Sequence, residues 1–428
     1  MILTVIFGRA AVAACFIAGL VACGGGDAGV DPVTVQPVPP TITSQPANQS
    51  VLLGTTATFT VVASGDSPLA YQWQRNGLDV AHGNSSTFTL SAGAADHASA
   101  WAVRVSNPAG SVLSTTATLS VNSGTVTLVA GSVVDGGSND GQGAAARFSL
   151  PHGLAVDSGG NVFVVDAGNN EIRKISPTGL VTTFAGQVGP GTSVNGVGTD
   201  AGFSHPGGMA IDNMDNLYVV DAFPNFGFAW QAIRKISPAG VVTRIDVRNV
   251  WPAPIAVDTA GNAYLSRARK VAPDGSETFF NADGFRYPMA SIAVDRATGA
   301  IFYGTANSVR RTMPGQPEVI LAGSPTGEAG AVDGIRDQAR FNFFSDSIGT
   351  GMVVDSVGNV YLTEDGNNAV RKVTPAGVVT TVADRAGVKT AQVGLIPGQF
   401  SRLRGLALQG DKILYVTSGN AVLKIELP

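Results

Sequence analysis

From residue 124 onward, short apolar runs recur with one ending. They read Leu154-Ala-Val-Asp157, Met209-Ala-Ile-Asp212, Ile255-Ala-Val-Asp258, Ile292-Ala-Val-Asp295, Met352-Val-Val-Asp355 and Leu406-Ala-Leu-Gln409. Each leads through a turn, such as Ser158-Gly159-Gly160-Asn161, into a second run such as Val162-Phe-Val-Val165. A third run carries a basic pair, as in Ile172-Arg-Lys-Ile175, Ile233-Arg-Lys-Ile236 and Val370-Arg-Lys-Val373, and a fourth reads Gly179-Leu-Val-Thr-Thr-Phe-Ala-Gly186. Runs this short, rich in β-branched and aromatic residues and bounded by turn formers, predict strands. Four strands per unit, six units and no helical period predict a six-bladed β-propeller. The last unit stops at a third strand, Asn420–Leu427, while Gly124–Gly131 matches the fourth strand Gly179–Gly186. The N-terminal strand is therefore expected to complete the sixth blade, leaving no open edge.

Residues 41–121 show a different rhythm. Alternating runs at Ala57–Val61, Tyr71–Arg75, Thr87–Leu90, Trp101–Asn107 and Ala117–Val121 are separated by turn signals, as in a β-sandwich. This stretch resembles an immunoglobulin-like domain. The resemblance places Trp73 as the buried tryptophan of the central strand and Val61 and Val103 where the family often has cysteines. It places Trp101 at the tyrosine corner, where an indole cannot copy the phenol hydroxyl. The units of 124–428 in turn resemble NHL repeats, with the best matches in units one, two and five. The expected fold is all-β: an immunoglobulin-like sandwich followed by an NHL-type propeller closed by its N-terminal strand.

At the N-terminus an apolar run, Ala10–Ala22, follows Arg9. It is too short to span a bilayer and suits a signal-peptide core. The sequence Leu20-Val21-Ala22-Cys23, followed by Gly24, resembles a bacterial lipobox. That resemblance implies removal of residues 1–22, acylation of Cys23 and, with Gly rather than Asp after the Cys, sorting to the outer membrane. An ordinary signal peptide with a chance Cys is the alternative. Residues 23–40, rich in Gly and Pro, read as a tether. Cys15 would leave with the signal, so no intrachain disulfide remains.

Composition narrows the function. Charged residues are 14% of the chain and the net charge is −4, which argues against a nucleic-acid partner. The basic pairs recur once per unit on strands whose neighbours face opposite ways, so they are expected to pair between blades. The stretches Gly141-Gln-Gly143 and Gly196-Val-Gly198 match a loose dinucleotide pattern but precede strands rather than helices, and are read as inter-blade loops.

Some propellers of this kind are lyases or lactonase-like hydrolases that hold a metal near the axis. Five residues before each signature Asp or Gln409 stand His152, Gly207, Ala253, Ala290, Thr350 and Arg404. One His and one Arg among small residues do not make a metal cage, and no metal or other cofactor is expected. The same ring reads as a ligand mouth flanked by His152 and Arg404, with Asp166, Asp221, Arg267, Thr305 and Glu364 at the ends of the second strands. Asp166 and Asp221 can equally be read as caps of local turns. The expected protein is a monomeric, envelope-anchored lipoprotein that binds a protein partner or glycan without catalysis. A lyase or hydrolase at the axial mouth and a structural adhesin are the alternatives.

Overall fold

A computed structural model describes residues 36–427, apart from 53–55, 94–95, 97, 123–125, 190, 223–229, 249–253, 281–288, 306, 314–315, 344–349, 384–399 and 401. The segment read as a signal peptide, Cys23 and Ala253 lie outside the described residues, as do most of the segment read as a tether and most of residues 122–124.

Residues 41–122 form the sandwich. One sheet holds Gln49–Leu52, Ala117–Asn122, Ser99–Asn107, Ala70–Arg75 and Leu78–Asp79, and facing it are the pairs Thr41–Ser44 with Val62–Ser64 and Thr56–Thr60 with Thr87–Ser91. Val61 and Val103 are buried where the cystine would lie, and Trp73, Trp101, Phe59 and Phe88 fill the space between the sheets. Phe59 and Phe88 stack on Trp101 at centroid distances of 5.3 and 5.2 Å. Trp101 closes its corner by relay. Its Nε1–H donates to Ser99 Oγ (2.8 Å), and Ser99 donates to the Asp96 carbonyl (2.5 Å). Packing and this relay replace both the disulfide and the tyrosine hydroxyl.

From Val126 onward six antiparallel sheets follow one another. Their innermost strands are Pro151–Val156, Pro206–Ile211, Ile255–Val257, Ser291–Val294, Met352–Val354 and Leu406–Gln409. Each packs beside the next, and the sixth packs beside the first, so the ring is closed. Alternate side chains of a strand point to opposite faces, and each face meets a different blade. Leu154 joins the core between blades 6 and 1, whereas Ala155 joins the core between blades 1 and 2. Six such cores, one per interface, hold the ring.

The sixth blade is composite. Its outer strand, Val126–Ser132, pairs antiparallel with Asn420–Glu426, in the register Val126 to Ile425 and Ser132 to Asn420. The closure read from the sequence is thus present. Asn420 Oδ1 also accepts from the Leu150 N–H (3.1 Å), stitching blade 6 to blade 1. Gly131, one residue before the end of the outer strand, has φ +90°, with Phe148 and the Asn420 carbonyl so close that a Cβ would clash with both.

Deleting residues 126–132 should lower the melting temperature of the propeller by about 10 °C or more, since it bares one edge and removes part of two cores. Scanning calorimetry of the deleted and full chains checks this.

Candidate functional site

The axis of the propeller is a channel divided into two unequal parts. Leu154, Met209, Ile255, Ile292, Met352 and Leu406, one from each innermost strand, line both parts and form an apolar girdle between them. These are the first residues of the six repeated signatures.

At the end where the innermost strands begin, the cavity is only about 40 Å³, room for little more than one or two waters. Here the structure brings His152 and Arg404 together, with Arg404 Nη1 donating to His152 Nε2 at 2.6 Å. Burial lowers the pKa of Arg404, Arg402 lowers it further and Asp365 opposes both. Among the described residues, glycines bring neighbouring strands close together at this end. Gly153, Gly351 and Gly405 let adjacent strands touch: a Cβ on Gly153 would stand 2.5 Å from the Met209 nitrogen, and one on Gly405 would collide with the His152 carbonyl. Thr363 Oγ1 donates to the Arg404 carbonyl (2.8 Å) and Thr417 Oγ1 to that of His152 (3.4 Å), fastening blades 5, 6 and 1.

Asp166, Asp221 and Glu364 do not line this mouth. All three are fully buried inside their blades, held by the arginine of the third strand. Asp166 bonds Arg173 (3.0 Å), Asp221 bonds Arg234 (3.3 Å) and Glu364 bonds Arg371 (2.7 Å). Each arginine also lies over a phenylalanine, Phe148, Phe203 or Phe341, and takes a carbonyl from the loop before it. Arg173 and Arg371 reach Asp140 and Asp333 in those loops as well. In blades 1 and 2 these loops carry the Gly-x-Gly stretches, in blade 5 Gly334-Ile335-Arg336 stands there, and all three form short 3₁₀ turns. Burial pushes the Asp166 carboxyl up to about 6, against the bonds from Asn169 and Ser149 and the charge of Arg173. Burial likewise raises Glu364 against Arg371. Arg267 is exposed on the blade 3 hairpin at φ 63°, and Thr305 is buried in blade 4.

The basic pairs divide by face. The arginines lock within blades, while Lys174, Lys235, Lys270 and Lys372 lie over Phe163, Tyr218, Tyr264 and Tyr361 of the adjacent strand. In place of the expected inter-blade pairing, the arginines of blades 1, 2 and 5 pair inside the blade with the acid at the end of the second strand.

At the other end of the girdle the channel widens to about 420 Å³. Its walls are the ends of the innermost strands, and its rim holds Asp295, Arg296, Asp355, Ser356 and Asp411. The rim is set by the signature Asp turns. Asp212 accepts from the Asn216 N–H (2.9 Å) and side chain, the Met214 N–H and the Tyr218 hydroxyl (3.1 Å). Burial would raise its pKa, but these bonds outweigh burial and hold it below the usual range. Sequence reasoning missed this cavity because it read the register five residues before each Asp. Reading three before gives the girdle, and one after gives Arg296. Among the described residues, no three His, Cys, Asp or Glu side chains gather as a metal site.

An immunoglobulin-domain model matches residues 39–107 and an NHL-repeat model matches residues 148–175. The chain is an immunoglobulin-like domain joined to an NHL-type propeller. The architecture recurs in solved structures. A structural-genomics protein of Bacteroides thetaiotaomicron aligns with a TM-score of 0.55 at 19% identity, covering 93% of this chain and 100% of its own. An auxiliary nutrient binding protein of the same species aligns at 0.53 and 15%, covering 91% and 98%. One from Bacteroides ovatus aligns at 0.53 and 16%, covering 92% and 98%. At such identities the likeness is one of fold. Protein SUPPRESSOR OF QUENCHING 1 of Arabidopsis thaliana is 35% identical over 86 residues, and the match spans 20% of this chain and 8% of that protein.

Arg234→Met should cost about 3–5 kcal/mol of stability, because it leaves Asp221 as an uncompensated buried charge. Adding Asp221→Asn should recover part of the loss. Urea unfolding of the three chains checks both.

Proposed function

We propose that this chain is a cell-envelope binding protein that seats its ligand in the wide axial cavity of the propeller. One observation carries the reading: a cavity of about 420 Å³ with an apolar floor and a polar rim. Small-molecule sites have this size, and this one joins apolar side chains on its floor to polar groups at its rim. Two proteins of the same fold are auxiliary nutrient binding proteins, which supports a binding role. The ligand enters from the side of the Asp turns, as an end group of an envelope peptide or glycan or as a free molecule.

Anchoring rests on Cys23. The lipobox resemblance of Leu20–Cys23 supports acylation there, with residues 23–40 as the tether. His152 and Arg404, at the constricted end, serve the closure of the ring rather than the ligand.

Two outcomes are expected. Cys23→Ser moves the protein from the membrane pellet to the soluble envelope fraction, and retention in the pellet would remove the anchor from this reading. N-phenyl-1-naphthylamine, a neutral apolar fluorophore, binds the folded protein once. Ala297→Trp, a change on the exposed rim, weakens that binding at least tenfold, whereas Arg404→Ala does not. Fluorescence titration decides it, and insensitivity to Ala297→Trp would place the ligand elsewhere.

A further inference from the structure

Blade 4 breaks the pattern of the rim. After the signature Asp or Gln the other blades carry Ser158, Asn213, Thr259, Ser356 and Gly410, whereas blade 4 carries Arg296. In blades 1 and 5 the serine ties its turn to the next blade. Ser158 donates its N–H and hydroxyl to Asp215 (3.0 and 2.6 Å), and Ser356 donates both to Asp411 (2.9 and 2.5 Å). Arg296 has no such acid ahead of it, because the next turn runs Ser356-Val357-Gly358.

Its guanidinium reaches back over the cavity instead. Nε donates to the Val257 carbonyl (3.4 Å) and Nη2 to the Ile211 carbonyl, at the ends of the innermost strands of blades 3 and 2. Among the described residues Nη1 meets no protein acceptor. The charges of Asp212 and Asp258 favour the cationic form, against the burial that lowers its pKa.

The carboxylates around it are committed to the fold. Asp258 accepts from Ala260, Asn262 and Tyr264, Asp355 from Val357, Asn359 and Tyr361, Asp295 from Ala297 and Thr298, and Asp411 from Ser356. The cavity thus combines an apolar floor with one guanidinium that has donors to spare.

We propose that Arg296 anchors the carboxylate of an amphipathic ligand whose apolar body rests on the girdle of Leu154, Met209, Ile255, Ile292, Met352 and Leu406. This rests on the wide cavity being the ligand seat. A guanidinium holds a carboxylate by two parallel N–H bonds, a geometry that neither a hydroxyl nor an amide shares. The apolar floor rejects strongly hydrated groups, since no polar side chain there replaces their water. The same chemistry is offered by a free apolar acid and by the last residue of a peptide.

The test uses two probes of similar body, the anionic 8-anilinonaphthalene-1-sulfonate and the neutral N-phenyl-1-naphthylamine, on residues 24–428 and its variants. The sulfonate stands for the carboxylate. Arg296→Gln should weaken the anionic probe at least tenfold and leave the neutral probe within twofold, while Ala297→Trp weakens both. If Arg296→Gln leaves the anionic probe unchanged while Ala297→Trp weakens both, the anchor is wrong and the cavity stands. If Ala297→Trp affects neither, the cavity itself is not the seat. Circular dichroism and melting curves matching the parent show that each variant is folded. Displacement of the anionic probe by 3-phenylpropanoate points to a free acid, and displacement only by an acetylated tripeptide ending in free phenylalanine points to a peptide terminus. Equal displacement by their amides overturns the carboxylate assignment.

Discussion

Everything in the propeller follows from one constraint: a blade built of alternating apolar residues has two faces to bury. A single sheet cannot shield both from water, and a row of sheets leaves two end faces bare. A ring leaves none. Leu154 and Ala155 are adjacent in the chain yet lie in different cores, each between a different pair of blades. The same holds for Met352 and Val353. The chain must therefore join its first propeller strand to its last blade, and the pairing of Val126–Ser132 with Asn420–Glu426 does so. A hydrophobic term that needs closure in this way makes the seam matter as much as any blade.

The ring was legible because strands and turns leave local marks. A period of two, a signature Asp and a Gly-Asn turn identify each hairpin, and the phase of the repeat at the two ends gives the closure. The sandwich was legible for a similar reason: Val61, Trp73 and Val103 keep the spacing of a core even without cysteines. Depth is not local, and there the sequence misleads. Asp166, Asp221 and Glu364 end second strands, and the end of a strand marks a position along the axis without saying how far inside it lies. A mark of burial did exist: Asp166 and Arg173, like Glu364 and Arg371, are seven residues apart across one hairpin, which faces them toward each other.

These buried pairs are not there for net stability alone, since two charges taken from water recover little more than their own desolvation. What they fix is position. Each arginine holds an acid at the end of one strand, a carbonyl of the incoming loop and the ring of a phenylalanine. The loop that carries Ala146 and Phe148 into the core between blades 6 and 1 is thereby pinned from within blade 1. Blades 3 and 4 keep the arginine but pair it with an acid at the start of the fourth strand, Arg269 with Glu277, or just before it, Arg310 with Glu318.

The two ends of the axis show how one repeat makes both a closure and a cavity. Near the start of the innermost strands, Gly153, Gly351 and Gly405 bring neighbouring backbones too close for a Cβ, and the described residues line a cavity of about 40 Å³. Where the strands end in Val156, Ile211, Val257, Val294, Val354 and Leu408, branched side chains turn to the neighbouring blades and hold the strands apart. A six-fold repeat can build such a cavity, but identical turns around it would offer identical contacts on every side and no preferred orientation for a ligand. Blade 4 supplies the asymmetry. Its turn uses Thr298 in place of the asparagine, and the residue after Asp295 is a long cation that reaches back to the strand ends of blades 3 and 2. Local rules of a fold are broken most readily where function gains from it, and Arg296 is such a break at the rim of the wide cavity.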